Sequence, residues 1–142
     1  MGDAGYSGTP LSRKLGIKEG HLVALVDAPP GFSRLLAHLP PDVRTVEGLP
    51  DDEPPDVVLL FATEAPGLES SFRAAARRLH PDGGLWVGWP KKSSSLESDL
   101  DKMGVRRIGL DGGLVDNKVC AIDEDWSGLR FVYRLEDRPG RR

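Results

Sequence analysis

Four stretches of this 142-residue chain hold residues whose types and spacing could do chemistry. Asp27-Ala28-Pro29-Pro30-Gly31-Phe32 follows an apolar run, where α/β proteins bring a glycine-relaxed loop against a bound ligand. Glu47 stands twenty residues after Asp27, near the position from which an acid grips the hydroxyls of a ribose. Asp27, Gly31 and Glu47 are thus the candidate cofactor-binding residues. Pro90-Lys91-Lys92-Ser93-Ser94-Ser95 is basic and hydroxyl-rich. Between a strand end and a helix start, its Lys91, Lys92, Ser93 and Ser94 would offer an anion two ammonium groups and unpaired backbone N–H groups. The plainer reading is a Ser94 cap beside two solvated lysines. Asn117, Trp126 and Arg130 make up the fourth candidate, a ligand or partner surface in which the indole stacks and the guanidinium reaches an acid. Its plainer reading is an aromatic ring closing a hairpin against its own sheet.

Other chemistries lack their residues. His21, His38 and His80 are scattered, with no pair at helical ligand spacing and no cysteine beside them. The acids of Asp123-Glu124-Asp125 do not follow the spacing of a calcium loop, so no metal is expected. Neither a G-x-S-x-G elbow nor a G-x-x-x-x-G-K-[ST] phosphate loop is present. Cys120, the single cysteine, lies in an alternating apolar run and reads as a small packed side chain. A net charge of -3 provides no global field for nucleic acid or an anionic membrane. Arg73, Arg77 and Arg78 fall off their helix's apolar stripe and read as a solvated face. The longest apolar runs, such as 57–62, are far short of a membrane span, and no leader opens the chain, so a cytoplasmic protein is expected.

These candidates must be positioned by the elements between them. His21-Leu22-Val23-Ala24-Leu25-Val26-Asp27 and 56–61 are near-continuous apolar runs of strand length, as in a sheet buried on both faces. Phe32, Leu35, Leu36 and Leu39 repeat at i, i+3, i+4 and i+7, which predicts a short helix ended by Pro40 and Pro41. A brief strand over 43–46 precedes the acidic, proline-rich linker 48–56. Leu68, Phe72, Ala75, Ala76 and Leu79 mark a longer helix, stopped by His80-Pro81-Asp82-Gly83-Gly84 before a strand over 85–89. Ser94 and Glu97 fit a capping box, predicting a helix from near Leu96 to the glycines at 112 and 113. Runs at 118–123 and 129–135 flank Asp125-Trp126-Ser127-Gly128 and predict a hairpin turning there. The organisation read from this is an arm over 1–20 carrying one helical turn at 9–15, a single domain over 21–135, and a basic tail over 136–142. Alternating β and α segments imply a mostly parallel sheet with right-handed crossovers.

The phrases at Ser7–Lys18, Trp89–Ser94 and Gly113–Val132 resemble those of a bacterial family, domain of unknown function 3052. The resemblance spans most of the chain. It implies a small cytoplasmic protein whose fold is similar to a shortened class I methyltransferase, and it carries over no substrate or catalytic residue. Together with the pattern above, it implies a three-layer Rossmann-like α/β domain of about six strands, order 2-1-3-4-6-5, ending in an antiparallel hairpin. The cofactor of such folds is S-adenosylmethionine. Pro29 and Pro30 remove two backbone donors and fix φ in the loop that would hold it, which disfavours that cofactor; none is predicted. The leading expectation is therefore a non-catalytic or regulatory module binding a small molecule or anion. The alternatives are a divergent methyltransferase or other small-molecule enzyme, and a protein-interaction domain using the hairpin and Trp126.

Overall fold

The computed structural model describes residues 10–138; the loose start expected at Met1–Tyr6 and the last residues of the basic tail lie outside them. β1 (Leu22–Val26), β3 (Val57–Phe61) and β4 (Gly84–Pro90) are buried along almost their whole length. Such strands need helices or loops on both faces, which is why their sequences do not alternate. β2 (Arg44–Glu47) is an exposed edge, and Val115–Ala121 (β5) forms the other edge, paired only with β6 (Trp126–Val132). The order is β2-β1-β3-β4-β6-β5. β1 to β4 are parallel, and β6 runs antiparallel to both β4 and β5. This is the Rossmann-like sheet, with its terminal hairpin, that the sequence predicts.

Side-chain alternation divides the core into two layers. On one face, α2 (Ala65–Arg78) and α3 (Lys102–Asp111) cover Val58, Leu60, Leu85, Val87, Leu129 and Phe131. Gly109 and Gly112 let α3 come close, since a Cβ at either would strike the ring of Phe131 or Phe72. On the other face, α1 (Leu11–Lys14), the residues just after it and a single 3-10 turn over Phe32–Leu36 cover Val57, Leu59, Phe61, Trp86 and Trp126. Leu15 and Ile17 are buried there, and the Trp86 indole N–H donates to the Leu15 carbonyl at 2.9 Å. The 9–15 segment is thus anchored to the sheet over its described part.

Three expectations are corrected. The helix predicted after β1 shrinks to a 3-10 turn that buries Phe32 and Leu36 and leaves Leu35 exposed. Gly31 at φ 79° and His38 at φ 62° pinch it at both ends, between two proline pairs. The helix predicted from Leu96 begins instead at Lys102. Its cap is Asp101, whose carboxylate accepts from the Gly104 amide at 2.8 Å, while Ser94 only closes a local turn to the Leu96 amide. The hairpin turns at 122–125, three residues earlier than predicted. Asp123 Oδ1 accepts from the amides of Asp125 and Trp126, an Asx turn that the glycine at 128 had obscured. Gly128 lies inside β6, where Ile122 and Trp86 leave little room for a Cβ.

Candidate functional site

In an open parallel sheet, ligands collect where the strand order reverses, outside the carboxyl ends of the strands. That point lies here between β1 and β3. From β1 the chain goes to β2 on one side, then crosses to β3 on the other. A cleft of about 320 Å³ opens over this point, lined by Asp27 after β1, by Phe61, Ala62, Thr63 and Glu64 at the end of β3, by Gly67 and Ser71 of α2, and by Trp126. Its aromatic wall is fixed by an edge-to-face chain. The Phe61 ring lies 4.9 Å from Phe32 and 5.1 Å from Trp126, at interplanar angles of 66° and 86°. Trp126 reaches this edge because β6 is antiparallel, so its first residue pairs with Pro90, the last of β4.

A second, larger cleft of about 680 Å³ adjoins the first and shares Glu64 with it. Pro90, Lys91 and Lys92 form one wall, and Leu96, Glu97, Ser98, Asp99 and Leu100 the other. The second wall is tied to the start of α2. Ser98 donates its hydroxyl to the Thr63 carbonyl at 2.8 Å, and Asp99 Oδ1 accepts from the Ala65 amide at 2.9 Å. A carboxylate thirty-four residues further along the chain therefore caps α2, while Glu64 at the N-cap position makes no side-chain cap and is left to line both clefts.

The structure distributes the sequence candidates unevenly. Asp27, at φ 56°, lines the smaller cleft. Glu47 lies on the same sheet edge, opposite Leu25 in register, but outside the lining. Gly31 caps the 3-10 turn and also lies outside it. The loop's own amides are partly spent, since Phe32 donates to the Pro29 carbonyl. Lys91 and Lys92 line the larger cleft, together with three carboxylates; Ser93 and Ser94 do not. No helix N-terminus follows that loop directly, because α3 starts at Lys102. Trp126 is only 8% exposed and lines the smaller cleft. Asn117 and Arg130 belong to a different place, on the β5/β6 hairpin, where Arg130 Nη1 donates to Asn117 Oδ1 at 3.5 Å. Thr63, Glu64, Ser98 and Asp99 were missed. The available signal was their place: the first two directly follow a buried strand at the edge where ligands collect.

Among the described residues, no three or more His, Cys, Asp or Glu side chains are gathered to hold a metal ion, and no helix is long and apolar enough to cross a membrane. No family model and no curated protein matches the chain. Its fold is nevertheless similar to that of solved methyltransferases. It superposes on a methyltransferase from Aquifex aeolicus described as S-adenosylmethionine-dependent, with TM-score 0.61, 14% identity, and 85% of this chain and 86% of that one covered. An O-methyltransferase of neocarzinostatin biosynthesis, solved with S-adenosylhomocysteine and 1,4-dihydroxy-2-naphthoic acid, matches with TM-score 0.61 and 12% identity over 81% of this chain. This chain spans half of that enzyme's length. The magnesium protoporphyrin IX methyltransferase of Synechocystis PCC 6803, solved with bound S-adenosylhomocysteine, matches with TM-score 0.55 and 12% identity, 82% of this chain against 75% of that one.

Proposed function

We propose that this domain binds a small organic molecule in the groove at the carboxyl edge of its sheet, and that adenosyl compounds of the S-adenosylmethionine type are the first ligand class to fit it. One observation carries the reading: the 320 Å³ cleft sits over the β1/β3 reversal with Asp27 on one side and an aromatic wall on the other. Its volume falls within the range of small-molecule sites, roughly 300–1,000 Å³. S-adenosylmethionine carries a sulfonium, an ammonium and ribose hydroxyls, and the cleft offers them two carboxylates, Asp27 and Glu64, with the hydroxyls of Thr63 and Ser71. Glu47 lies on the same edge. The loop after β1 contributes less than a glycine-rich loop would, because Pro29 and Pro30 have no N–H to donate. Side chains, rather than a cradle of backbone amides, would therefore hold the ligand. The phrases at Trp89–Ser94 and Gly113–Val132, and with them membership of domain of unknown function 3052 and a cytoplasmic setting, belong to this same proposal.

A binding or regulatory role is the primary reading. Transfer is the second, favoured by the larger cleft, which shares Glu64 with the first and leaves room for an acceptor beside a donor. In that cleft Lys91 and Lys92 would hold an anionic end of the ligand or acceptor.

Calorimetric titration and thermal shift with S-adenosylmethionine, S-adenosylhomocysteine, adenosine nucleotides and phosphate test the reading, since a ligand of the native state raises apparent stability. An adenosyl compound should raise Tm, and Asp27→Asn should weaken it at least tenfold, the loss of a charge-assisted hydrogen bond of about 1.5–3 kcal/mol. Silence toward every adenosyl compound overturns the ligand class. Release of S-adenosylhomocysteine from S-adenosylmethionine in the presence of an acceptor library would replace binding by transfer.

A further inference from the structure

The guanidinium of Arg130 lies outside both clefts. It stands on β6 on the α1 face of the sheet, paired with Trp86 and lying over Gly84, toward the edge opposite the groove. A Cβ on Gly84 would fall on its Nε, Nη2 and Cζ atoms, so the strand leaves this side chain a seat that alanine would fill. Among the described residues its hydrogen bond is the long one to Asn117, and none of the ion pairs there includes it. Half-buried, with burial pulling its pKa below the ordinary value, it has lost hydration without gaining a counter-ion.

Its neighbours deepen the imbalance. Lys118 is the cross-strand partner of Arg130 on β5, and like charges directly opposite one another weaken a sheet. Asn117 is the extra residue of the bulge between Asp116 and Lys118, so two polar side chains instead of one meet Arg130. Asp116, the nearest acid along β5, is turned to the other face and held by Arg106 of α3 at 3.1 Å.

We propose that Arg130, Asn117 and Lys118 form a site for a doubly charged oxyanion, the phosphate monoester group of a small metabolite, separate from the carboxyl-edge groove. The guanidinium fork presents paired N–H donors to two oxygens, the ammonium supplies a compact second charge, and the Asn117 amide a neutral donor. Two cations suit a dianion better than a single carboxylate.

The test is an NMR titration of the ¹⁵N-labelled full chain with inorganic phosphate, and in parallel with acetate, at ionic strength matched by chloride. Phosphate should produce saturable shifts at the Arg130 Nε–H and at the amides of Asn117 and Lys118. Binding should be at least tenfold tighter than for acetate, and tighter at pH 8, where inorganic phosphate is mostly the dianion, than at pH 5.5, where it is mostly the monoanion. Arg130→Gln, Lys118→Ala and Gly84→Ala should each weaken it at least tenfold, while Lys91→Ala/Lys92→Ala leaves it unchanged; the dispersed spectrum of each variant reports its folding. No saturable shift at Arg130, or an equal response to acetate, overturns the site. So does a phosphate response that survives Arg130→Gln and vanishes in Lys91→Ala/Lys92→Ala, which would move the anion to the groove. Adenosyl binding, read in the same samples at Asp27, stands or falls independently.

Discussion

The two faces of the sheet are covered by different means. On the α2/α3 side, helices of 14 and 10 residues lie across the strands, and the layer between is mostly aliphatic with one crossed pair, Phe72 and Phe131, 5.1 Å apart. On the other side the chain provides only a four-residue helix and a five-residue 3-10 turn. Large rings fill the space there: Phe32, Phe61, Trp86 and Trp126. The contrast shows that a sheet face can be sealed with little helix when side-chain volume substitutes for backbone. Sealing is incomplete, however, and the two features left over are functional candidates. At the carboxyl edge the rings border the Asp27 cleft, and toward the other edge Arg130 lies over Gly84 and, among the described residues, bonds Asn117 alone.

The comparison can be broken at its strongest point first. Phe72→Ala should cost about 3–5 kcal/mol, because the helices hold the cavity open; urea unfolding should show the midpoint fall with an unchanged slope. Phe32→Ala, beneath a short turn that can collapse inward, should cost less and should also weaken the adenosyl response, since Phe32 props Phe61 at the cleft. A smaller effect is expected from Trp86→Phe, which keeps an aromatic ring and strips the Leu15 carbonyl of its donor, at about 1–3 kcal/mol. Hydrogen exchange over 11–17 should quicken more than exchange in α2. Arg130→Leu should change stability by no more than about 1 kcal/mol, and upward, since it removes a half-buried charge that has no counter-ion; a loss of several kcal/mol would mean that the guanidinium is already satisfied.

The least energetic probe is Cys120. Burial pushes its thiol above the ordinary value, against the pull of Lys14 and Lys118. Alkylation of the folded protein should therefore lag behind the unfolded chain at pH 8 and catch up only in more alkaline solution. The raised folded pKa favours the neutral thiol, so its contribution to stability is complete below the ordinary thiol pKa and is lost as pH climbs through the folded value. Equal alkylation rates at pH 8 would mean that this face is open to solvent at β5.

Much of the fold was legible because strands and helices write their periods locally. Leu22–Val26, Val57–Phe61 and Gly84–Pro90 fall within a residue of the apolar runs that predict them, and the stripe of Leu68, Phe72, Ala75 and Ala76 is the buried side of α2. Misplaced elements were those governed by one side-chain hydrogen bond. Asp101 rather than Ser94 starts α3, and Asp123 rather than Gly128 makes the hairpin turn, because which of several capping residues finds an amide depends on where the chain is already held. The site was half legible. Asp27, Lys91, Lys92 and Trp126 could be picked out by type, whereas Glu64 and Asp99 look like ordinary surface acids until α2 and the 96–100 segment are brought together.

By itself, then, the sequence determined the buried strands β1, β3 and β4, the apolar stripe of α2, the β/α alternation and the proline-interrupted loop after β1, since each follows from short-range pattern and backbone sterics. Tertiary structure alone decided which charges meet. It gave Asp99 to the end of α2, left Glu64 to the groove, and set Arg130 opposite Lys118 with no acid between them. Those pairings join residues far apart in the chain, and their distances are fixed only by strand register and helix packing, which no local pattern encodes.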